Sequence, residues 1–198
     1  METGTTKNLQ KNTKTIAGVG LLTAIVLVLQ ALAVLIRPTG FFNISLVLVP
    51  IVVGAALYGW KSGAWLGFVF GMVVLFTDAG AFLAVSIPGT IVTVLLKGIF
   101  CGLAAGLVYK LLEKKSIITG VIVSAIICPC VNTGIFLLGC KVFFMNTINE
   151  WAAALGYESA GKYMIFGLVG VNFLIEMAIN IILSSAIVQI IKVGKKTR

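Results

Sequence analysis

Long apolar runs separated by short polar ones constrain this chain more than any other feature. Hydrophobic residues make up 60% of the sequence and charged residues 11%, against about 25% charged in ordinary soluble domains. A soluble domain could not cover itself with so little polar surface, whereas lipid requires little. At about 20 apolar residues per crossing there is room for roughly five to seven spans in 198 residues. No stretch remains for a soluble catalytic or nucleotide-binding domain.

The runs predict six transmembrane helices, at about 15–36, 44–58, 61–77, 90–112, 117–140 and 163–191. The expected fold is therefore an all-α integral membrane protein, a compact six-helix bundle over 15–191. Residues 1–14 form a basic polar segment before it and 192–198 a basic tail. The first run is long and lacks a cleavage site, so it reads as a retained helix.

Six spans put both termini on one side. With that side cytoplasmic, the inner segments hold eleven basic residues: Lys7, Lys11, Lys14, Lys61, Lys110, Lys114, Lys115, Lys192, Lys195, Lys196 and Arg198. The outer segments hold Arg37, Lys141 and Lys162. This is the positive-inside asymmetry, and it absorbs nearly all of the +9 formal charge. The charge reports topology, so no nucleic-acid partner is expected. Tyr58, Trp60, Trp65 and Tyr109 fall near inner ends, and Trp151, Tyr157 and Tyr163 near the last outer loop, where amphipathic rings meet headgroups.

Small residues recur at four-residue spacing: Gly63, Gly67 and Gly71; Gly98, Gly102 and Gly106; Gly20 and Ala24. Such faces let helix backbones approach closely. They serve packing within the bundle or docking of another membrane subunit, and spacing alone does not allocate them.

Several chemistries are disfavoured. There is no His, which removes imidazole catalysis and His-based metal sites. The segment from Gly54 to Ser62 resembles a phosphate-binding loop, but Lys61 falls one place late and the segment joins two membrane runs. Cys128-Pro129-Cys130 could hold a soft metal, yet a kink lined by apolar thiols is the simpler reading, and no metal site is assigned. Cys101 and Cys140 add no framework spacing. An intramembrane enzyme would have to use Asp78 or Glu176 without a visible partner, so no catalytic residue is assigned.

A charged side chain in the hydrocarbon core costs about 2.5–3.5 kcal/mol on insertion scales, so each one needs a partner or a purpose. Two lie deep within spans, Lys97 and Glu176, joined by the amides of Asn132, Asn172 and Asn180. Asn172, Glu176 and Asn180 are spaced four apart and form one polar stripe. At 1.5 Å per residue, Lys97, Asn132 and Asn172 lie about 10, 12 and 14 Å below the outer ends of their helices. Three hydrogen-bonding side chains on sequence-distant helices thus converge on one level. Thr93, a turn above Lys97, and Thr133, beside Asn132, share that space. A Lys97–Glu176 ion pair alone would not gather amides near one face. The expectation is a cavity open to the outside, rimmed by loops 37–43, 78–89 and 141–162 with Phe41, Phe42, Phe82, Phe143, Phe144 and Trp151.

Taken together, the six helices, the basic ends and the short second helix resemble a known family. The resemblance extends to the glycine-rich Ala64-Trp65-Leu66-Gly67-Phe68-Val69-Phe70-Gly71 and to the stretches Gly89-Thr90-Ile91-Val92-Thr93-Val94-Leu95-Leu96-Lys97-Gly98 and Asn132-Thr133-Gly134-Ile135-Phe136-Leu137-Leu138-Gly139. The chain is similar over about 15–192 to the substrate-binding S components of energy-coupling factor (ECF) transporters, the prokaryotic vitamin importers. The resemblance implies a multi-pass subunit of a prokaryotic cell membrane that binds a vitamin-like small molecule from outside. It implies delivery with a transmembrane scaffold subunit and two ATPase subunits, which use ATP, and no cofactor in this chain. The family's cavity zone covers Lys97, Asn132, Asn172 and Glu176. Its small-residue scaffold contact on the first helix maps onto Gly20 and Ala24. Pantothenate, riboflavin and folate are all open as solutes. The alternative is a self-sufficient carrier or channel gated by Lys97 and Glu176.

Overall fold

The computed structural model describes residues 2–36 and 46–196, with side chains over 12–35 and 46–194. The described residues form helices α1 (Glu2–Ile36), α2 (Leu48–Tyr58), α3 (Trp60–Thr77), α4 (Gly80–Val85), α5 (Ile87–Leu112), α6 (Ile117–Phe143), α7 (Met145–Ala154), a single turn α8 (Ala160–Lys162) and α9 (Gly170–Lys196). A π-helical stretch, Tyr163–Val169, joins α8 to α9. Five segments are long and apolar enough to cross a membrane: Asn12–Leu35, Trp60–Thr77, Ile87–Leu112, Ile117–Phe143 and Ala160–Gly194. The shorter α2, of 11 residues, sits among them with most of its side chains buried.

Helix ends depart from the sequence-based bounds for local reasons. Helix α1 begins at Glu2, so the polar stretch before the first apolar run continues the same helix. Helix α2 begins at Leu48, four residues later than the pattern predicts. Helix α5 starts at Ile87 because Ser86, in an extended conformation, caps it: its Oγ accepts from the Gly89 amide at 3.3 Å, and a proline lies in the first turn. Helix α6 is capped in the same way by Ser116 and runs on to Phe143. The spans read as loops at 78–89 and 141–162 contain α4 and α7. Loop 37–43 lies outside the described residues.

One glycine sets the α2–α3 hairpin. Gly59 adopts φ +92°, a conformation that costs L side chains dearly. It turns the chain in a single residue while its carbonyl accepts from Ser62 and Gly63.

Helices α3 and α5 pack antiparallel through their glycines. A methyl group at Gly63 would overlap the carbonyl of Gly102, and one at Gly67 that of Gly98; at Gly71 it would lie 2.9 Å from the carbonyl of Val94. Both glycine faces are therefore spent inside the bundle, with backbone on backbone. Helix α6 lies along α5, where Ser124 Oγ donates to the Ala105 carbonyl at 3.0 Å and Gly139 admits the Thr93 side chain. The main core gathers Val26, Ile51, Leu66, Phe70, Cys101, Tyr109, Val121, Ile187 and Ile191. A second cluster, Cys140, Phe144, Ile148, Ala152, Ala160 and Tyr163, closes the end that carries α4 and α7.

Candidate functional site

Lys97, Thr93, Asn132, Thr133, Asn172 and Glu176 all line one cavity of about 250 Å³. Helix α5 supplies Thr93 and Lys97, α6 supplies Asn132 and Thr133, and α9 supplies Asn172 and Glu176. Helix α5 begins and helix α6 ends three residues beyond the predicted bounds, at Ile87 and Phe143, whereas the run predicted as one helix over 163–191 is broken at Gly170 (φ +40°) into the π-helical stretch and α9. Lys97 and Asn132 therefore lie about three residues further from their helix ends than the pattern predicts, while Asn172 stands two residues past the break at Gly170.

Lys97 is flanked by aromatic faces, its Nζ 5.2 Å from the Phe136 ring centroid and 6.0 Å from that of Phe70. Cation–π attraction of about 0.5–2 kcal/mol per ring holds the ammonium at the wall, and Glu176 attracts it electrostatically. Thr93 and Asn132 are 4% and 8% exposed, and neither Thr93 Oγ1 nor Asn132 Oδ1 has a hydrogen-bond partner. A buried polar atom without a partner costs about 1–3 kcal/mol. Both stand on the wall of the cavity that Lys97 also lines.

The polar stripe on α9 divides. Asn172 and Glu176 face the cavity, whereas Asn180 is fully buried beyond it and donates to the Glu176 carbonyl at 2.8 Å. Asn180 thus shores up the helix below Glu176.

Other lining residues escape the reading of charge and depth. Gln30 of α1, Asp78 at the end of α3 and Thr90 of α5 are polar, and Phe70, Phe136 and Phe173 are aromatic. Gln30 is the lone amide in the first apolar run, so the cost argument that singles out Asn132 applies to it equally. Asp78 gives no such signal, because the end of a span is where a carboxylate is expected.

Phe82 of α4 is the hub of an aromatic cap at the α4/α7 end. Its ring meets Phe136, Phe144 and Trp151 edge-on, with centroids 5.6, 5.1 and 5.5 Å apart. Of the expected lid aromatics, Phe82 and Phe144 line the cavity and Trp151 braces Phe82. Phe143 points away, 45% exposed. Phe41 and Phe42 lie outside the described residues.

Gly20 and Ala24 lie on an exposed face of α1, and nothing in the chain comes within 4 Å of a methyl placed on Gly20. The cysteines are all free thiols, and Pro129 stands inside α6 between Cys128 and Cys130. Among the described residues no cluster of three metal-ligating side chains occurs.

These features define a multi-pass helical membrane protein with a polar, aromatic-capped cavity toward one end of its bundle. Residues 14–188 match the family model described as "ECF transporter, substrate-specific component", and the chain belongs to that family: it is the substrate-binding subunit of an ECF-type importer. Among curated proteins it is similar to the "Pantothenic acid transporter PanT" of Lactococcus lactis subsp. cremoris (strain MG1363). The two are 26% identical over 159 residues, covering 73% of this chain and 75% of the relative. No solved structure matches the chain.

Proposed function

We propose that this subunit captures pantothenate, or a close chemical relative, from outside a prokaryotic cell. The observation that carries the reading is the pair of unpartnered buried polar atoms, Thr93 Oγ1 and Asn132 Oδ1, on the cavity that Lys97 enters. Lys97 takes the anionic group. Asn132, Asn172, Thr93 and Thr133 supply directional hydrogen bonds, and Glu176 holds Lys97 or accepts a solute donor. A cavity of about 250 Å³ lies just below the range of about 300–1,000 Å³ usual for drug-sized ligands. That favours a compact acid over the larger riboflavin and folate, as does the pantothenic acid transporter among its relatives.

In this reading α2 completes six spans, both termini are cytoplasmic and the α4/α7 end faces outward. A scaffold subunit and two ATPases supply the driving force. ATP binding to the partners must favour the state that holds the cavity inward and weakens its grip, since a partner shifts an equilibrium only by its differential affinity for the two states. The exposed Gly20–Ala24 face of α1 is offered to the scaffold, where small residues permit close helix contact.

Mass spectrometry of small molecules released from the detergent-purified chain, followed by calorimetric titration with pantothenate, tests the solute. Pantothenate is the expected find; release of a flavin or folate with no pantothenate binding overturns the assignment. Vesicles containing this chain alone should bind the solute and accumulate none. Gradient-driven uptake by the lone chain would instead establish a self-sufficient carrier gated by Lys97 and Glu176. Replacing both Gly20 and Ala24 by Leu should leave solute affinity within about twofold and abolish ATP-driven uptake when the partners are present. Undiminished uptake would remove this face from the interface.

A further inference from the structure

We infer that Gly170 is a positioning residue: its break lets one span both line the cavity and close the α4/α7 end of it, and so governs how long a captured solute is held. The inference rests on the reading of the cavity as the solute site and adds to it the part of the last span that retains the solute.

Below the break, Asn172 and Glu176 line the cavity and Asn180, Ser184, Ile187 and Ile191 are buried. They share one face at three- and four-residue spacing. At 3.6 residues per turn that face, continued upward without interruption, passes through Phe166, Ile165 and Lys162. All three are exposed, Ile165 by 56% and Phe166 by 69%. The buried residues there are Ala160 and Tyr163, which pack with Phe144 and Ile148 at the α4/α7 end, with Leu168 against them. Tyr163 precedes Asn172 by nine residues, about two and a half turns of α-helix. In an unbroken helix the two would point to opposite sides.

The junction removes the conflict. The wider turn of the π-helical stretch Tyr163–Val169 brings residues five apart onto one side, so Tyr163 and Leu168 share a face. Gly170 then absorbs the change of direction at φ +40° and ψ −137°, a conformation that L side chains rarely adopt. Its amide donates to the Ile165 carbonyl and closes the last wide turn. No other part of the bundle comes within 4 Å of a methyl placed on Gly170, so the position demands glycine for its backbone and not for room. Two uncommon backbone states in succession, with cavity-lining residues on either side, point to a working part. An L residue at this position straightens the span. The part below is fixed in the core by Ile187 and Ile191, so the short part above turns and carries Tyr163 and Leu168 out of the aromatic end. Entry is then unhindered and retention is lost.

Association and release of radiolabelled pantothenate, measured on the full-length purified chain with the thermal midpoint followed in parallel, test this. Gly170→Ala should speed release about tenfold and leave the association rate within about twofold. Tyr163→Ala should do the same, and the double variant should release no faster than either single one, because both remove one contact. Asn172→Ala, on the anchored side, should instead multiply with Gly170→Ala. Release at the wild-type rate from folded Gly170→Ala, or multiplication of the Gly170 and Tyr163 effects, overturns the inference and leaves the pantothenate reading intact. Where Gly170→Ala does not fold, Tyr163→Ala decides, and unchanged release from it is equally fatal. A wild type that binds no pantothenate overturns the solute assignment alone, and the same variants are then compared with the solute that mass spectrometry finds in the wild-type chain.

Discussion

Gly67→Ala in α3 is expected to lower the thermal midpoint of the detergent-solubilised protein by about 5–10 °C, the equivalent of roughly 2–3 kcal/mol. The added methyl has nowhere to go. It overlaps the carbonyl of Gly98, and backbone on both sides prevents the small side-chain adjustments that absorb most overpacking. Relief requires α3 and α5 to separate, which strips close backbone contact along the whole seam. Gly134→Ala on α6 is the control, because nothing lies within 4 Å of a methyl there. It should leave the midpoint unchanged or raise it, as Ala is favoured over Gly in a helix by about 0.5–1 kcal/mol. Equal midpoints for the two variants in differential scanning fluorimetry would show that the seam contributes little.

Lys97→Ala carries the second large effect, now on binding. Removing one partner of a buried charge contact costs about 2–4 kcal/mol, so affinity for an anionic solute should fall roughly 30- to 1,000-fold. The substitution also leaves Phe70 and Phe136 facing an emptied space, so the thermal midpoint must be followed in parallel. Asn172→Ala should cost less, about tenfold, the loss of a neutral hydrogen bond. If titration shows both variants binding every solute of the wild type with unchanged affinity, the site assignment fails.

What could be read from the sequence follows the energetics. Lys97 and Glu176 stand out because a charge in hydrocarbon must be accounted for, and the depth of Asn132 follows from helical rise, whereas the break at Gly170 just before Asn172 leaves no mark in the apolar pattern. Their meeting on one cavity wall is the same physics seen from inside. The glycine spacings were visible, but which face opposes which is a pairwise property, and only the contacts of Gly67 with Gly98 and Gly63 with Gly102 assign it. The helix starts at Ile87 and Ile117 depend on single capping serines, Ser86 and Ser116, outside the apolar runs. Helices α4 and α7 are too short for periodicity to separate them from loop. Gln30, the lone amide of the first apolar run, is legible by the same cost argument. Asp78 is not, since a carboxylate is expected at the end of a span and its hydrogen bond from Gln30 joins residues 48 apart in sequence.

The brevity of α2 has a consequence for the membrane itself. Eleven residues rise about 16 Å, roughly half the thickness of the hydrocarbon layer. A helix so short would suffer severe mismatch if acyl chains surrounded it, and would thin the bilayer or tilt to escape. Its neighbours insulate it instead: Ile51, Val52, Val53 and Ala55 are almost wholly enclosed. Changes in acyl-chain length should therefore be felt through the outward faces of α1, α5 and α6, while α2 rides inside as ballast, indifferent to the thickness of the sheet it belongs to.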